Sequence, residues 1–324
     1  MIYRAHAFEL PADLQPRMQR AKRLEWITVA YLISVVGLMY LVMGSSQAMK
    51  TAWLEDILGL FPAISFLVAA RHYDRPPSAS FPYGYHRVYS IAFLTGAVAL
   101  FAMGAFLLID AGISLMRAER PTIGSTVVFG QQVWSGWLMI LTLLYSALPS
   151  VVLGRAKLPL ARELHNKILF TDADTQKADY RTAFAAIAGI VGVGMGYWWA
   201  DSAAAVLISF SVLKDGYGNL KEAVQDLMDR YPQKVEEDRR DPLIGEVHAL
   251  VASWPWVEES RVRFREDGQV YFGEILVVPR RNDKLLQDIA AGRASVRKLH
   301  WKLHDVTIMP VPNLEDVPEE SVTP

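Results

Sequence analysis

The sequence predicts a membrane α-helical bundle of six transmembrane helices followed by a cytoplasmic α/β ferredoxin-like αββαβ domain. Three observations predict it. First, apolar residues concentrate before residue 230, in stretches at 26–44, 53–70, 91–116, 133–154, 182–200 and 203–213, the last extending toward Val224. Most of these approach the ~20 residues that a bilayer-spanning helix needs. Second, basic residues alternate between the connections. Arg4, Arg17, Arg20, Lys22 and Arg23 precede the first stretch, Arg71, Arg75 and Arg87 follow the second, and Arg155, Lys157, Arg162 and Lys167 follow the fourth. The opposite connections carry Lys50, Arg117 and Arg120, so the positive-inside rule places both termini in the cytoplasm. Third, beyond Tyr231 and Pro232 the composition becomes that of a soluble domain.

With 324 residues, 52% of them hydrophobic, the chain is long enough for more than one domain. Its net charge of −1 gives no bulk pull toward nucleic acid, which is not expected as a partner. The absence of cysteine excludes disulfides and thiolate metal ligands. The first 25 residues are charged and mixed, and the first apolar run is too long for a signal h-region, so no cleaved targeting peptide is expected.

Taken in order, residues 1–25 read as a cytoplasmic lead-in, amphipathic through Phe8, Leu10, Leu14 and Met18 and suited to the interface. Residues 26–230 read as the six-helix transport domain. The first span is free of ionisable residues from Ile27 to Gly44 and serves packing. The second opens with Glu55 and Asp56, adjacent on a helix and therefore about 100° apart, so that one faces a cavity and the other can pair with Lys50. The loop 71–87 holds His72, Asp74 and His86, which match no tight metal site and read better as loop residues. In the third span Asp110 has Arg117 within reach, and Arg120-Pro121 ends the helix. Residues 122–132 make a short outer loop. The fourth span carries Ser146 and Pro149. The fifth ends in Gly189, Gly192, Gly194 and Gly196, spaced for close helix approach, followed by the aromatic belt Tyr197, Trp198 and Trp199. Asp201 is placed to cap the sixth, which leaves the membrane as an amphipathic extension over 214–230.

Residues 231–312 then read as helix 244–254, strand 259–265, a turn at Asp267-Gly268, strand 270–278, helix 283–304 and strand 306–309, the ferredoxin-like order. His300 and His304 fall at i, i+4 on the predicted second helix, beside Asp305, and read better as surface histidines than as ligands. Residues 313–324 are acidic and proline-rich, the composition of a disordered tail.

The chemistry centres on residues 171–181, Thr-Asp-Ala-Asp-Thr-Gln-Lys-Ala-Asp-Tyr-Arg, which run directly into the fifth apolar stretch. On one helix Asp172, Thr175, Gln176 and Asp179 share a face and present oxygen ligands. Charge near lipid is costly unless it meets a cavity or a partner, so this face, with the acidic second helix, points to an intramembrane cation site. The competing reading is a solvated helix entrance in which Lys177 and Arg181 pair with these aspartates.

The order of these features resembles the cation diffusion facilitator family of divalent-metal transporters over residues 26–312. The resemblance is carried by Phe-Pro-Tyr-Gly-Tyr-His-Arg at 81–87, Arg120-Pro121, the acidic face at 172–179, Ala-Asp-Ser-Ala-Ala at 200–204, residues 222–229 and Ser-Trp-Pro at 253–255. It implies metal efflux by proton antiport, a homodimer paired through the soluble domains, a lipid bilayer as surroundings, and here a bacterial inner membrane. Residue by residue it places Glu55 and Gly59 at the two ligand positions of the second helix and Thr175 and Asp179 at those of the fifth. Two of the four usual ligands thus differ, and Asp56 and Asp172 are the carboxylates at hand to complete the metal set Glu55, Asp56, Asp172, Thr175 and Asp179. It also implies a charge lock between Arg87 and Asp229. The loop and last-strand histidines of the family's regulatory metal sites are depleted, with Tyr85 in place of one.

An all-oxygen site suits harder ions such as Mn²⁺ or Mg²⁺, with Fe²⁺ between these and Zn²⁺; Zn, Mn and Fe are the expected cargo, and no tightly bound cofactor is expected. Crowded carboxylates also compete for protons, a route to exchange. The alternative is a non-transporting membrane scaffold or regulator that retains the fold. An enzyme is not expected, because no Ser/His, Cys/His or His-Glu-x-x-His constellation is present.

Overall fold

The computed structural model describes residues 10–73, 75–128, 130–235 and 239–314. The first part of the lead-in, Asp74 and the tail from residue 315 lie outside the described residues. Those described divide into two compact units, one of residues 12–73 and 88–225, the other of the loop 75–87 with the chain from 226 onward.

The first unit contains six long helices: α1 (Gln15–Val42), α2 (Gln47–His72), α3 (Val88–Met116), α4 (Ser135–Glu163), α5 (Lys167–Gly194) and α6 (Ala200–Leu227), the last reaching just past the unit's edge. By length and composition α1 to α4 are each apolar enough to cross a membrane. Charge separates α5 and α6 from these four. Lys167, Asp172, Asp174, Lys177, Asp179 and Arg181 crowd the first half of α5, and Lys214, Asp215, Lys221 and Glu222 the second half of α6. Residues 15–25, expected as a separate lead-in, are the first turns of α1, and Leu14 and Met18 are buried. The connection between α3 and α4 contains a small antiparallel hairpin of β1 (Ser125–Val128) and β2 (Gln131–Trp134), turning at Gly130 with φ +80°. Helix α5 stops at Gly194 because Gly196 takes φ +96°, and Tyr197 N–H returns to the Gly192 carbonyl at 2.9 Å.

Two polar contacts differ from those expected at the helix ends. Asp201 does not cap its own helix. It is fully buried and accepts from Ser46 Oγ (2.6 Å), Gln47 N–H (2.5 Å) and Ala48 N–H (3.4 Å), serving the orphan donors at the start of α2. Lys50 pairs across to Asp110 on α3 at 2.7 Å, so Asp110 meets Lys50, not Arg117, and Lys50 serves neither Glu55 nor Asp56. The reason is helical phase: Lys50 and Glu55 are five residues apart and project on different sides of α2.

The apolar core joins Val35 and Met39 of α1, Met49 of α2, Leu143 of α4, Ile190 of α5 and Ile208 of α6. Helix α4 lies so close to α5 that a Cβ on Gly154 would come 2.5 Å from the Ala173 carbonyl oxygen and 2.7 Å from Lys177 N, a position only glycine can fill. Beside this crossing lies a wholly buried ionic group. Lys157 of α4 donates to both carboxylate oxygens of Glu25 at 3.3 Å, to Thr28 Oγ1 at 3.1 Å and to Asp172 of α5. Side-chain exposure is zero for Lys157 and Glu25 and 2% for Asp172, so three helices meet at one ammonium.

The second unit carries α7 (Leu243–Ala252), β3 (Val257–Asp267), β4 (Val270–Pro279), α8 (Leu285–Leu299) and β5 (Leu303–Pro310). Its sheet order is β3-β4-β5, antiparallel then parallel, a small mixed sheet. The β3–β4 turn is Gly268-Gln269, with Gly268 at φ +71°. Val247, Val251, Tyr271, Ile275, Val296 and Val306 form its core. Asp241 ties the start of α7 down, accepting from Leu243 N–H (2.9 Å), Tyr271 Oη (2.6 Å) and Lys302, and these donors hold its carboxyl down at about 2 against the effect of burial. Helix α8 is shorter than 283–304, because the chain turns extended at His300 (φ −156°, ψ 146°). His300 and His304 therefore do not share a helix: His304 lies on β5.

Removing one partner of a buried ion pair leaves an uncompensated charge, at a cost of about 3–5 kcal/mol, whereas replacing the whole group by apolar side chains is near neutral. Lys157→Met should therefore lower the melting temperature of the detergent-solubilised protein sharply, and Lys157→Met with Glu25→Leu and Asp172→Leu should recover most of that loss.

Candidate metal site

Helical phase separates the two acidic neighbours on α2. Asp56 faces α4, where Ser146 Oγ donates to its two oxygens at 3.2 and 3.0 Å. Glu55 faces α5, and Thr182 Oγ1 donates to its Oε1 at 3.2 Å; its Oε2 is buried and has no hydrogen-bond partner among the described residues. Asp179 interacts with Asp56 most strongly among the neighbouring charges and then with Glu55, and the Ser150 hydroxyl lies beside it. Tyr31 of α1 is near both Asp56 and Asp179, and its hydroxyl donates to the carbonyls of Tyr145 (2.7 Å) and Ser146. Three carboxylates on α2 and α5 thus form one electrostatic group inside the helical unit, with hydroxyls from α1, α4 and α5 around it. Like charges gathered in a medium of low polarity call for a cation or protons between them.

Of the remaining candidates, Asp172 is engaged elsewhere and Thr175 borders Glu55. Asp172 is held by Lys157, and Gln176 Nε2 reaches its other oxygen at 3.5 Å. Thr175 lines a cavity of about 50 Å³ together with Glu55 and Gly59, so three of the four positions singled out on α2 and α5 border one space. From α6 the same cavity receives Asp215 and Asn219, which sequence reasoning passed over. The signal was there: Asp215 and Asn219 stand one turn apart in the stretch read only as an amphipathic extension. Among the described residues no three carboxylate, imidazole or thiol groups converge closely enough to hold a metal ion. Lys177 pairs locally with Asp174 at 3.6 Å, and Arg181 stacks on Tyr180.

The charge pair lies in the second unit and is part of a larger network. Arg87 donates to Asp229 at 3.0 Å and to Asp267 at 3.0 Å, and Arg265 approaches Asp229 at 3.5 Å and Asp267 at 3.7 Å. Asp229 is left-handed, φ +59°, a conformation that aspartate tolerates better than most residues. Asp267 is almost wholly buried, and burial holds its carboxyl above the ordinary range despite both guanidinium groups.

The histidines of the loop reading are dispersed. His72 is in the last turn of α2 and bonds the Val68 carbonyl, and Asp74 is outside the described residues. His86 is buried against His304 (ring centroids 4.6 Å apart) and Phe272 (5.8 Å). Burial, and then the neighbouring His304, push its pKa down to about 3.

A family model described as the cation efflux transmembrane domain matches residues 25–228. The chain is 22% identical over 227 residues to the uncharacterised transporter YdbO of Bacillus subtilis, covering 69% of this chain and 73% of that protein. It is 25% identical over 261 residues to MamV of Paramagnetospirillum magneticum, a transporter by its name, covering 81% and 73% respectively. It is also 22% identical over 219 residues to protein p34 of Rickettsia prowazekii, covering 66% of each.

The His86 environment sets a pH dependence. The unfolded chain takes up a proton near the ordinary histidine value of ~6.5, and the folded loop resists it down to about 3. The contribution is therefore complete above about pH 6.5 and is lost as pH falls toward 3, at no more than about 1.4 kcal/mol per pH unit. Melting of the full chain in detergent should fall between pH 7 and 5, and His86→Phe should flatten that dependence.

Proposed function

The chain belongs to the cation efflux family of integral-membrane metal transporters, and from that membership we propose that it exports a divalent cation from the cytoplasm in exchange for protons. Metal transport itself, without enzymatic chemistry, follows from the family. The observation that carries the finer reading is the electrostatic group of Glu55, Asp56 and Asp179 on α2 and α5. In this reading α1 to α6 all span the bilayer, with both termini in the cytoplasm of a bacterium. Residues 26–230 form the transport domain, and 231–312 a ferredoxin-like domain that pairs two protomers. Asp179 and Glu55 hold the ion with Asp56 close by, and Thr175 contributes a hydroxyl. Asp172 belongs to the ligand set only if Lys157 releases it.

Oxygen ligands of this kind favour Mn²⁺ or Fe²⁺ over Zn²⁺. When the ion leaves, protons are the positive charges small enough to neutralise the same carboxylates, which supports exchange rather than uniport. The rocking of helices between inward-open and outward-open packings delivers the ion to the opposite side. Arg87 and Asp229, with Arg265 and Asp267, tie the loop before α3 to the segment after α6 and to the β3–β4 hairpin. That network serves as the cytoplasmic charge lock.

Liposomes containing the purified protein, with a pH-sensitive dye inside and Mn²⁺, Fe²⁺, Zn²⁺, Co²⁺, Cd²⁺ or Mg²⁺ added in turn, test the proposal. Saturable metal-driven proton movement is expected for at least one ion and should be abolished by Asp179→Ala. If no ion moves protons and the variant behaves like the parent, the exchange reading fails and a scaffold that retains the transporter fold takes its place.

A further inference from the structure

The family's usual metal ligands on α2 and α5 leave α6 without a part in cation handling, yet α6 supplies two polar side chains to the wall that Glu55 and Thr175 share. The cavity of about 50 Å³ is otherwise largely apolar, with Leu58, Phe93 and Val212 among its lining. Its oxygen-bearing groups are few. Thr171 and Thr175 stand one turn apart on α5, Asp215 and Asn219 one turn apart on α6, and Glu55 on α2. Asp215 is exposed and Asn219 half-buried, so this wall reaches the surface, whereas Glu55 Oε2 is buried and lacks a hydrogen-bond partner among the described residues. Glu55 and Asp215 interact electrostatically, and Asp215 also feels Lys214, Asp174 and Arg181. An apolar cavity with a carboxylate at its exposed wall and an unsatisfied carboxylate oxygen at its buried one is suited to a positively charged guest.

We propose that Asp215 and Asn219 form a capture site for the divalent cation, an all-oxygen group with Thr171 and Thr175 that takes the ion at the surface and passes it to Glu55. This rests on the transport reading above and adds a ligand position on α6. The site lies in the second half of α6, the end that runs on toward the C-terminal domain, and in the first turns of α5; in the proposed topology that end is the cytoplasmic mouth. Its carboxylate raises the local cation concentration and replaces part of the hydration shell before the ion reaches the buried group. It acts on loading and leaves the crossing step to Glu55, Asp56 and Asp179.

The test is the same liposome flux with full-length protein, reading half-saturating metal concentration and maximal rate separately for Asp215→Asn and Asn219→Ala. Asp174→Asn is the control: Asp174 is exposed, pairs with Lys177 and interacts with Asp215, but it does not line the cavity. The expected result is a half-saturating concentration raised about tenfold by Asp215→Asn and less by Asn219→Ala, with maximal rates within about threefold of the parent and Asp174→Asn close to the parent. If Asp215→Asn leaves half-saturation unchanged while the parent transports and Asp179→Ala does not, the capture site is overturned and the transport reading stands. An equal rise with Asp174→Asn also overturns it, because diffuse surface charge then accounts for the effect. A parent that moves no ion overturns both readings.

Discussion

An ammonium inside a helical bundle persists only where anions meet it, and the meeting of Lys157 with Glu25 and Asp172 is the constraint on which the transport unit depends. The three side chains come from α4, α1 and α5, and with Thr28 they satisfy the lysine in a place closed to solvent. Because an unpaired buried charge costs several kcal/mol, none of the three helices can shift there without breaking the group. The close crossing at Gly154 lies on the same side of α5 and fixes the helix at the level of Lys177. Together they set which face of α5 is turned inward, and that choice brings Asp179 to Asp56 and Glu55.

The triad also divides the labour among the acidic residues. Asp172 is neutralised by a resident cation of the protein itself, so the charge that a mobile cation can answer is concentrated one to two turns further along α5, at Asp179. The ligand types follow from this division. Carboxylates and hydroxyls surround the group, sulfur is absent from the chain's chemistry apart from methionine, and the described histidines are elsewhere, in the last turn of α2, in the connection between α4 and α5, and in the second unit. Such a set suits hard divalent cations. The proposed route to it along Asp215 and Asn219 would give α6 a role beyond packing.

Much of this was legible in the sequence, and the unread parts have specific causes. Apolar runs of near-bilayer length gave the long helices, and the strand–turn–strand signal around Asp267-Gly268 gave the β3–β4 hairpin, because both rest on periodicity and local turn chemistry. Partner choice did not follow, since it depends on tertiary placement. Asp201 lay beside a helix start and read as its cap, but it serves the start of α2, far away in sequence. Lys50 and Asp110 were each assigned a neighbour in sequence and found one another instead. Glu25 and Lys157 sat among other basic and acidic residues at helix ends, and nothing local distinguished them from solvated charges. For the same reason Asp172, equivalent to Asp179 by helical spacing, could not be told from it. The second helix of the small domain was drawn too long because a helical pattern runs on through His300 and His304, whereas the chain needs an extended stretch there to enter the parallel pairing with β4.

In the proposed transport cycle the mobile cation is answered by Asp179 with Glu55 and Asp56, and Lys157 keeps Asp172 out of the ligand set. Anomalous diffraction from the full-length protein crystallised with Mn²⁺ tests this directly. A manganese peak is expected within ligand distance of Asp179 and Glu55 or Asp56, with Lys157 still against Asp172. A peak at Asp172 with Lys157 displaced, or manganese bound only outside the helical unit, would contradict it.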